Sequence, residues 1–404
     1  MPRNMWLVYV ALAGLSWGTY VPLIFYGGSE LVSDPKVQTP ARVLAILCVG
    51  VAYFVIGVLY PAFYLLRLPK QDRPERSFTG LFFSGLAGAA GAVGAICVIF
   101  ATSNSILAAR ATDQPPGTYK LFIAPLIFGL APVINTLVSI FWHPKKGEPF
   151  HFGWHVPHGL LWVGIVSVGL GAGLVLYSKG LLEEKAPAHA QTVDEKPRPT
   201  LMETITEGYT GKAPWLLFVT LAGLSWGTYV PLIFYGGSEL GGKPSSRLLA
   251  ILCVGVAYFL LAVVFPGIYL WQTPADQQPR WSSSTGLTFA GLAGAAGAIG
   301  AICVIFATKS AIEAAKAAGR PPATYKLFIA PLIFGLAPVI NTLVSMVWLP
   351  EAGDPLRFGL LQPHWTLYLG IVLVGLGAAL VLYSKELSEA APAPRPAPVP
   401  EGAR

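Results

Sequence analysis

The side chains with the clearest capacity for chemistry occur in pairs. Trp17 and Tyr20 lie in the run LAGLSWGTYVPLIFYGGSEL at 12–31, which returns letter for letter at 221–240 with Trp226 and Tyr229. Asn135 and Ser139 lie in YKLFIAPLIFGLAPVINTLVS at 119–139, repeated at 325–345 with Asn341 and Ser345. Residues three or four apart share a helix face. The first pattern therefore makes an aromatic face with a hydroxyl rim, which can stack on a sugar or a flat metabolite and hydrogen-bond it. The second puts an amide and a hydroxyl side by side. Both patterns bind; neither breaks bonds. No nucleophile–base pair, no paired carboxylates within apolar runs and no full metal set occur, so no enzymatic role, no metal and no cofactor are expected. His143, His151, His155 and His158 are spaced to suit a metal on a helix face. Pro157 interrupts such a helix, and a polar loop accounts for them more simply.

These residues are embedded in apolar sequence. Hydrophobic residues make up 54% of the chain and charged residues 12%, against about 25% charged in an ordinary soluble domain. Mean hydropathy is +0.60. The charges cluster and leave long neutral runs, the signature of membrane spans. The net charge of +7 then reads as Lys and Arg in membrane-flanking loops, and no nucleic-acid partner is expected. The four cysteines all sit inside apolar runs, where they read as small buried side chains.

The duplication organises the whole chain. GLAGAAGAVGAICVIFAT at 85–102 also returns, at 291–308, with Ile299 in place of Val93. The expected fold is all-α: a polytopic membrane protein of ten transmembrane helices, arranged as two inverted five-helix repeats. Repeat 1 (1–178) has spans at roughly Met5–Tyr26, Arg42–Leu66, Thr79–Ala101, Tyr119–Trp142 and Gly159–Tyr177. Repeat 2 (214–385) has them at Trp215–Tyr235, Arg247–Leu270, Gly286–Ala307, Tyr325–Trp348 and Thr366–Tyr383. Residues 179–213 read as a flexible polar linker, and 386–404 as a disordered Pro/Ala-rich tail. The run before Tyr20 resembles a cleaved leader, but its copy lies mid-chain, so both copies read as first spans.

Five spans per unit is odd, so consecutive units face opposite ways, and the charges agree. In repeat 1 the loops between spans 2–3 and 4–5 carry six basic residues and the other two loops four; in repeat 2 the same loops carry two and six. Near-identical units with reversed bias are what the positive-inside rule predicts for inverted repeats. The richer side holds both termini, which are expected in the cytoplasm of a cell (inner) membrane protein, with the linker outside.

Within the spans, Gly85, Gly88, Gly91 and Gly94 form a stripe that lets helices approach closely. Pro125 and Pro132, with their copies Pro331 and Pro338, each remove a backbone hydrogen bond and are expected to kink or partly unwind span 4. Discontinuous helices at the midplane of inverted repeats mark transporter sites, so Asn135 and Asn341 are expected to face each other there. The other reading of each Asn is glue between two helices. Tyr26 fits an interfacial belt. Glu30 and Glu239, Arg42 and Arg247, and Lys120 and Lys326 read as interfacial charges, with a gate as the second reading of the Glu pair.

These features together resemble the EamA-type domain of the drug/metabolite transporter superfamily. The resemblance rests on Leu15-Ser-Trp-Gly18 and its copy at 224–227, Arg42 and Arg247, the span-4 prolines, and Gly164-Ile-Val with its copy from Gly370. The Trp-Gly-Thr-Tyr-Val-Pro form of span 1 is most similar to the sugar-porter branch. Two departures stand out: His143-Pro144 where the family often has Glu after span 4, and halves far more alike than is usual. The resemblance implies a secondary transporter of a small polar metabolite, such as a sugar, working by alternating access. Its substrate would be held by Trp17, Tyr20, Asn135, Ser139, Trp226, Tyr229, Asn341 and Ser345. A coupling ion and a homodimer are both compatible with it. The alternative class is a non-transporting membrane scaffold or sensor subunit, in which the repetition serves packing alone.

Overall fold

The structure is a computed structural model that describes residues 4–32, 34, 37–111, 120–154, 158–183, 201–319, 329–351 and 353–390. Among these the chain is built from helices: α1 (Met5–Glu30), α2 (Gln38–Phe54), α3 (Tyr60–Arg67), α4 (Phe78–Ala111), α5 (Lys120–Phe141), α6 (Leu160–Glu183), α7 (Leu201–Thr210), α8 (Trp215–Glu239), α9 (Pro244–Phe259), α10 (Phe265–Gln272), α11 (Ser284–Ala317), α12 (Ile329–Val347) and α13 (Trp365–Ala390). Extended pairing among the described residues is limited to isolated bridges, Trp142 with Phe152, Lys145 with Glu148, and their copies Trp348 with Phe358 and Glu351 with Asp354. These bridges fold the loops after α5 and α12 into small hairpins.

Nine helical segments among the described residues are long and apolar enough to cross a membrane, counting α2–α3 and α9–α10 as one segment each. Helices are one of the two structures that satisfy every backbone group within hydrocarbon. The apolar part of α12 is shorter, Leu332–Val347; residues 320–328, the start of the span expected from Tyr325, lie outside the described residues, as does Tyr119. The outward faces are apolar: Phe63, Leu66, Trp162, Leu170 and Leu376 are all more than half exposed. So extensive an exposed apolar surface marks contact with lipid.

Packing crosses between the duplicated halves. α1 lies against α11 and α12, α8 against α4 and α5, and α6 against α13. In lipid such contacts rest on close van der Waals approach, so the glycines decide them. A Cβ on Gly88 would lie 2.6 Å from the Cα of Val254, and one on Gly294 2.7 Å from that of Val49. Between α6 and α13 the contact is reciprocal. A Cβ on Gly164 would meet the Gly377 carbonyl at 2.8 Å, and one on Gly171 the Gly370 carbonyl at 2.7 Å. The seven-residue spacing keeps both glycines of each helix on one seam.

Two expectations are corrected. Span 4 does not break: α5 runs through Pro125 and Pro132, and α12 has Pro338 inside it. Pro331 also lies within α12. The irregular turns fall in span 2 instead, where Val55–Leu59 and Leu260–Val264 are π-helical. Each is followed by a proline at the start of the next helix, Pro61 or Pro266. A proline ring clashes with the carbonyl four residues back, and the wider π turn absorbs that conflict. The second correction concerns the linker: α6 extends into it as far as Glu183, and Leu201–Thr210 is a helix. α7 packs on α8, with the Tyr209 hydroxyl 2.6 Å from the Thr220 hydroxyl. Linker residues 184–200 and tail residues 391–404 lie outside the described residues, and 386–390 continue α13.

The α6–α13 seam makes a prediction. Gly171→Ala would place a methyl 2.6 Å from the Val374 nitrogen and should cost about 1–3 kcal/mol, the usual penalty of overpacking. Gly169→Ala, with nothing within 4 Å, should be neutral or stabilise by up to about 1 kcal/mol through helix propensity. Thermal unfolding of the two variants in detergent checks this; equal shifts would contradict the seam.

Candidate functional site

A cavity of about 80 Å³ lies where the two halves meet. Its lining comes in equivalent pairs: Trp17 and Trp226 from α1 and α8, Tyr20 and Tyr229 one turn further on, Tyr53 and Tyr258 from α2 and α9, and Phe128 and Phe334 from α5 and α12. Gly91 and Ala95 of α4, Gly297 and Ala301 of α11, Val230 and Val254 complete it. No lining residue is charged. On a scale where one water needs about 10–15 Å³, this volume admits a solute of a few heavy atoms, and a larger one requires the helices to part.

The indoles are held by the opposite half. The Trp17 Nε1–H donates to the Gly297 carbonyl at 3.2 Å, and the Trp226 Nε1–H donates to the Gly91 carbonyl at 3.2 Å. Gly300 and Gly94, one turn beyond those carbonyls, make room for the rings: a Cβ on either would overlap the Trp17 or Trp226 indole. Tyr53 and Tyr258 stack with ring centroids 3.8 Å apart and planes 5° from parallel. Gly297 and Gly91 face these two rings as well; a Cβ there would lie 2.9 Å from the Tyr53 oxygen or 3.1 Å from the Tyr258 ring. Trp17 leans on Phe334 at 5.7 Å, Trp226 on Phe128 at 6.0 Å, and Tyr20 meets the Trp226 ring edge-on at 6.0 Å.

With both indole donors occupied, the side-chain polarity left to the cavity is that of its tyrosine hydroxyls. The Tyr20 hydroxyl is buried and makes no hydrogen bond. The site can therefore stack an apolar face of a solute against its rings, with buried tyrosine hydroxyls as its polar side-chain groups. No carboxylate, imidazole, thiol or ammonium group is among its lining residues.

Of the eight residues expected to hold a substrate, Trp17, Tyr20, Trp226 and Tyr229 line this cavity, and Asn135, Ser139, Asn341 and Ser345 do not. Ser139 donates instead to the Asn135 backbone carbonyl at 2.8 Å. Asn341 and Ser345 are fully buried, and neither the Asn341 amide nor the Ser345 hydroxyl makes a hydrogen bond. Asn135, in the same sequence on α5, has an interaction partner. Tyr53, Tyr258, Phe128 and Phe334 were not expected in the site. Their one signal is that CVGVAYF and PLIFGLAP each occur twice.

The histidine-rich loop is part of a hairpin. A ring nitrogen of His143 lies 2.9 Å from the Ile140 carbonyl, one of His151 lies 3.0 Å from the His143 carbonyl, and His158 accepts from the Leu160 N–H. His155 lies outside the described residues. Among the described residues no group of three His, Cys, Asp or Glu could hold a metal ion. Arg42 is engaged at the start of α2: its guanidinium donates to the Asn104 side chain at 3.1 Å and lies over the Phe100 ring.

No family model matches the chain, and no curated protein matches it. A solved structure titled "Crystal structure of protein" is 16% identical, with 85% of this chain and 99% of that one covered and a TM-score of 0.33; a likeness this low bears on neither fold nor function.

The two Asn residues make a prediction. Replacing an unpartnered buried amide by an apolar group of similar shape removes a desolvation penalty. Asn341→Leu should leave thermal stability unchanged or raise it by about 1 kcal/mol, whereas Asn135→Leu should lower it. The reverse order would show that the Asn341 amide is satisfied in the folded protein.

Proposed function

We propose that the protein is a secondary transporter that moves a small polar metabolite across a cell (inner) membrane by alternating access. It is read as ten spans in two inverted five-helix repeats, with both termini cytoplasmic. The observation that carries this reading is the cavity itself: an uncharged, ring-lined chamber assembled from equivalent residues of both halves, at their junction. Inverted-repeat transporters hold substrate at the junction of their repeats and expose it by moving one against the other. Near-identical halves suit such a motion, because the two end states are then built from the same contacts.

The substrate class that fits best is a small molecule with an apolar face and a few hydroxyls, such as a sugar. Trp17 and Trp226 stack on the apolar face, and Tyr20 and Tyr229 hydrogen-bond the hydroxyls. The free hydroxyl of Tyr20 is the sharpest support, since a buried donor without a partner is costly and a bound hydroxyl would satisfy it. No carboxylate is among the lining residues of the cavity. The resemblance to the drug/metabolite transporter superfamily supports the same reading.

Sugar uptake or binding in reconstituted vesicles tests it. Trp17→Ala and Trp226→Ala should each weaken binding about tenfold, the loss of one stacked ring. Tyr20→Phe should cost about 1 kcal/mol of binding without lowering stability. Should no small solute bind, or the three variants bind as the parent does, the cavity is not the site. Topology has its own measurement: reporters near Asp194 and after Arg404 should lie on opposite sides of the membrane. Finding both on one side would remove the inverted repeat.

A further inference from the structure

Two buried carboxylates join the halves. Glu30, at the end of α1, accepts a hydrogen bond from the Gly353 N–H at 3.0 Å. Glu239, at the end of α8, accepts one from the Gly147 N–H at 2.7 Å. Each carboxylate belongs to one half and each glycine to the other. Glu30 is 7% exposed and Glu239 5%. Gly353 and Gly147 sit at the tips of the two hairpins with φ of +77° and +80°, a backbone conformation that glycine adopts freely.

The following residue strengthens each junction. Leu31 and Leu240 are fully buried. The Leu31 carbonyl accepts from the Arg280 N–H at 3.2 Å, and the Leu240 carbonyl accepts from the Glu75 N–H at 3.0 Å. Each helix end is thus held by two loops of the opposite half. The two junctions share these contacts and both are closed; beside the α8 junction Ser245 also donates to the Asp72 carbonyl at 2.6 Å and Lys243 to the Gln71 carbonyl at 3.3 Å.

We propose that Glu30 and Glu239 are the latches of two gates, one on each membrane face, and that each half of the transport cycle opens one while the other stays shut as the pivot. This rests on the transport reading above, because its ten-span topology is what places the ends of α1 and α8 on opposite faces. The physical reason is direct. Each carboxylate–amide bond spans the line along which the halves must separate to admit solvent from that face. A charge-assisted bond shielded from water is among the stronger single contacts available there.

The test is side-specific access to the cavity. Ala301, which lines it, is changed to Cys in a chain whose Cys48, Cys97, Cys253 and Cys303 are each changed to Ala. A membrane-impermeant maleimide is then applied to right-side-out and to inside-out vesicles. Glu30→Ala should speed labelling from the face opposite the N-terminus by about tenfold, the population shift expected from losing one charge-assisted hydrogen bond. Glu239→Ala should do the same from the N-terminal face, with no increase on the other side. Glu30→Gln and Glu239→Gln keep an acceptor oxygen for the glycine N–H and lose the charge, and should give the same side preference with a smaller increase. Labelling that rises from the same face in both variants, or that changes in neither while the cysteine remains reactive, overturns the latch and leaves the transport reading standing. A cysteine unreactive from both faces in every variant overturns the transport reading and the latch with it.

Discussion

The indole of Trp17 fits a notch that exists only because residue 300 is glycine, and its N–H reaches the Gly297 carbonyl at 3.2 Å. Trp226 does the same with Gly94 and Gly91. These two contacts bring α1 against α11 and α8 against α4, so the halves interlock instead of lying side by side. They also set the rings that line the cavity, and they occupy the indole donors so that a solute meets stacking surface there. In a bilayer, where apolar contact with lipid is as good as apolar contact with protein, close approach and internal hydrogen bonds hold helices together. A tryptophan in a glycine notch supplies both.

The same logic extends outward. Gly164 and Gly171 face Gly377 and Gly370 along α6 and α13, where Val374, Val381 and Val175 pack into the space the glycines leave. Gly50, against the Ala262 carbonyl at 2.5 Å for a Cβ, brings span 2 of one half onto the π turn of the other. Near that contact Tyr53 and Tyr258 stack face to face. The π turns thus fall where the two span-2 segments meet beside the cavity. A wider turn there has fewer ideal backbone bonds to lose if the segments move.

Much of the fold is legible in the sequence. Long neutral runs can only be helices in hydrocarbon, because the backbone has no other way to satisfy itself within one segment. The described helices follow the expected spans closely. Trp17 and Tyr20 could be singled out because polar-edged rings deep in a span need a reason to be there. Tyr53, Phe128 and their copies could not, since in a helix that is apolar all round nothing local says which face turns inward. Asn135 and Asn341, which lie outside the cavity lining, are ambiguous for a different reason. An amide in a span must find a partner or a cavity, and both readings use the same residue at the same spacing. The prolines misled because the energetic conflict at a proline depends on which carbonyl lies behind it. Pro132 is accommodated within α5, while Pro61 is preceded by a π turn.

By itself, then, the sequence determined the medium, the helical class, the pairing of every important residue with a copy, and the aromatic character of span 1. These follow from hydropathy, from the backbone's need for internal hydrogen bonds, and from letter-for-letter repetition, none of which depends on distant contacts. The tertiary structure alone decided which copy each residue meets. Trp17 packs on the second half's glycines and not on its own, Glu30 and Glu239 reach hairpins more than ninety residues away, and identical Asn residues stand in unlike surroundings. Two equal segments carry no local information about whether to pair within a half or across. That choice belongs to the summed close packing of helices that are far apart in the chain.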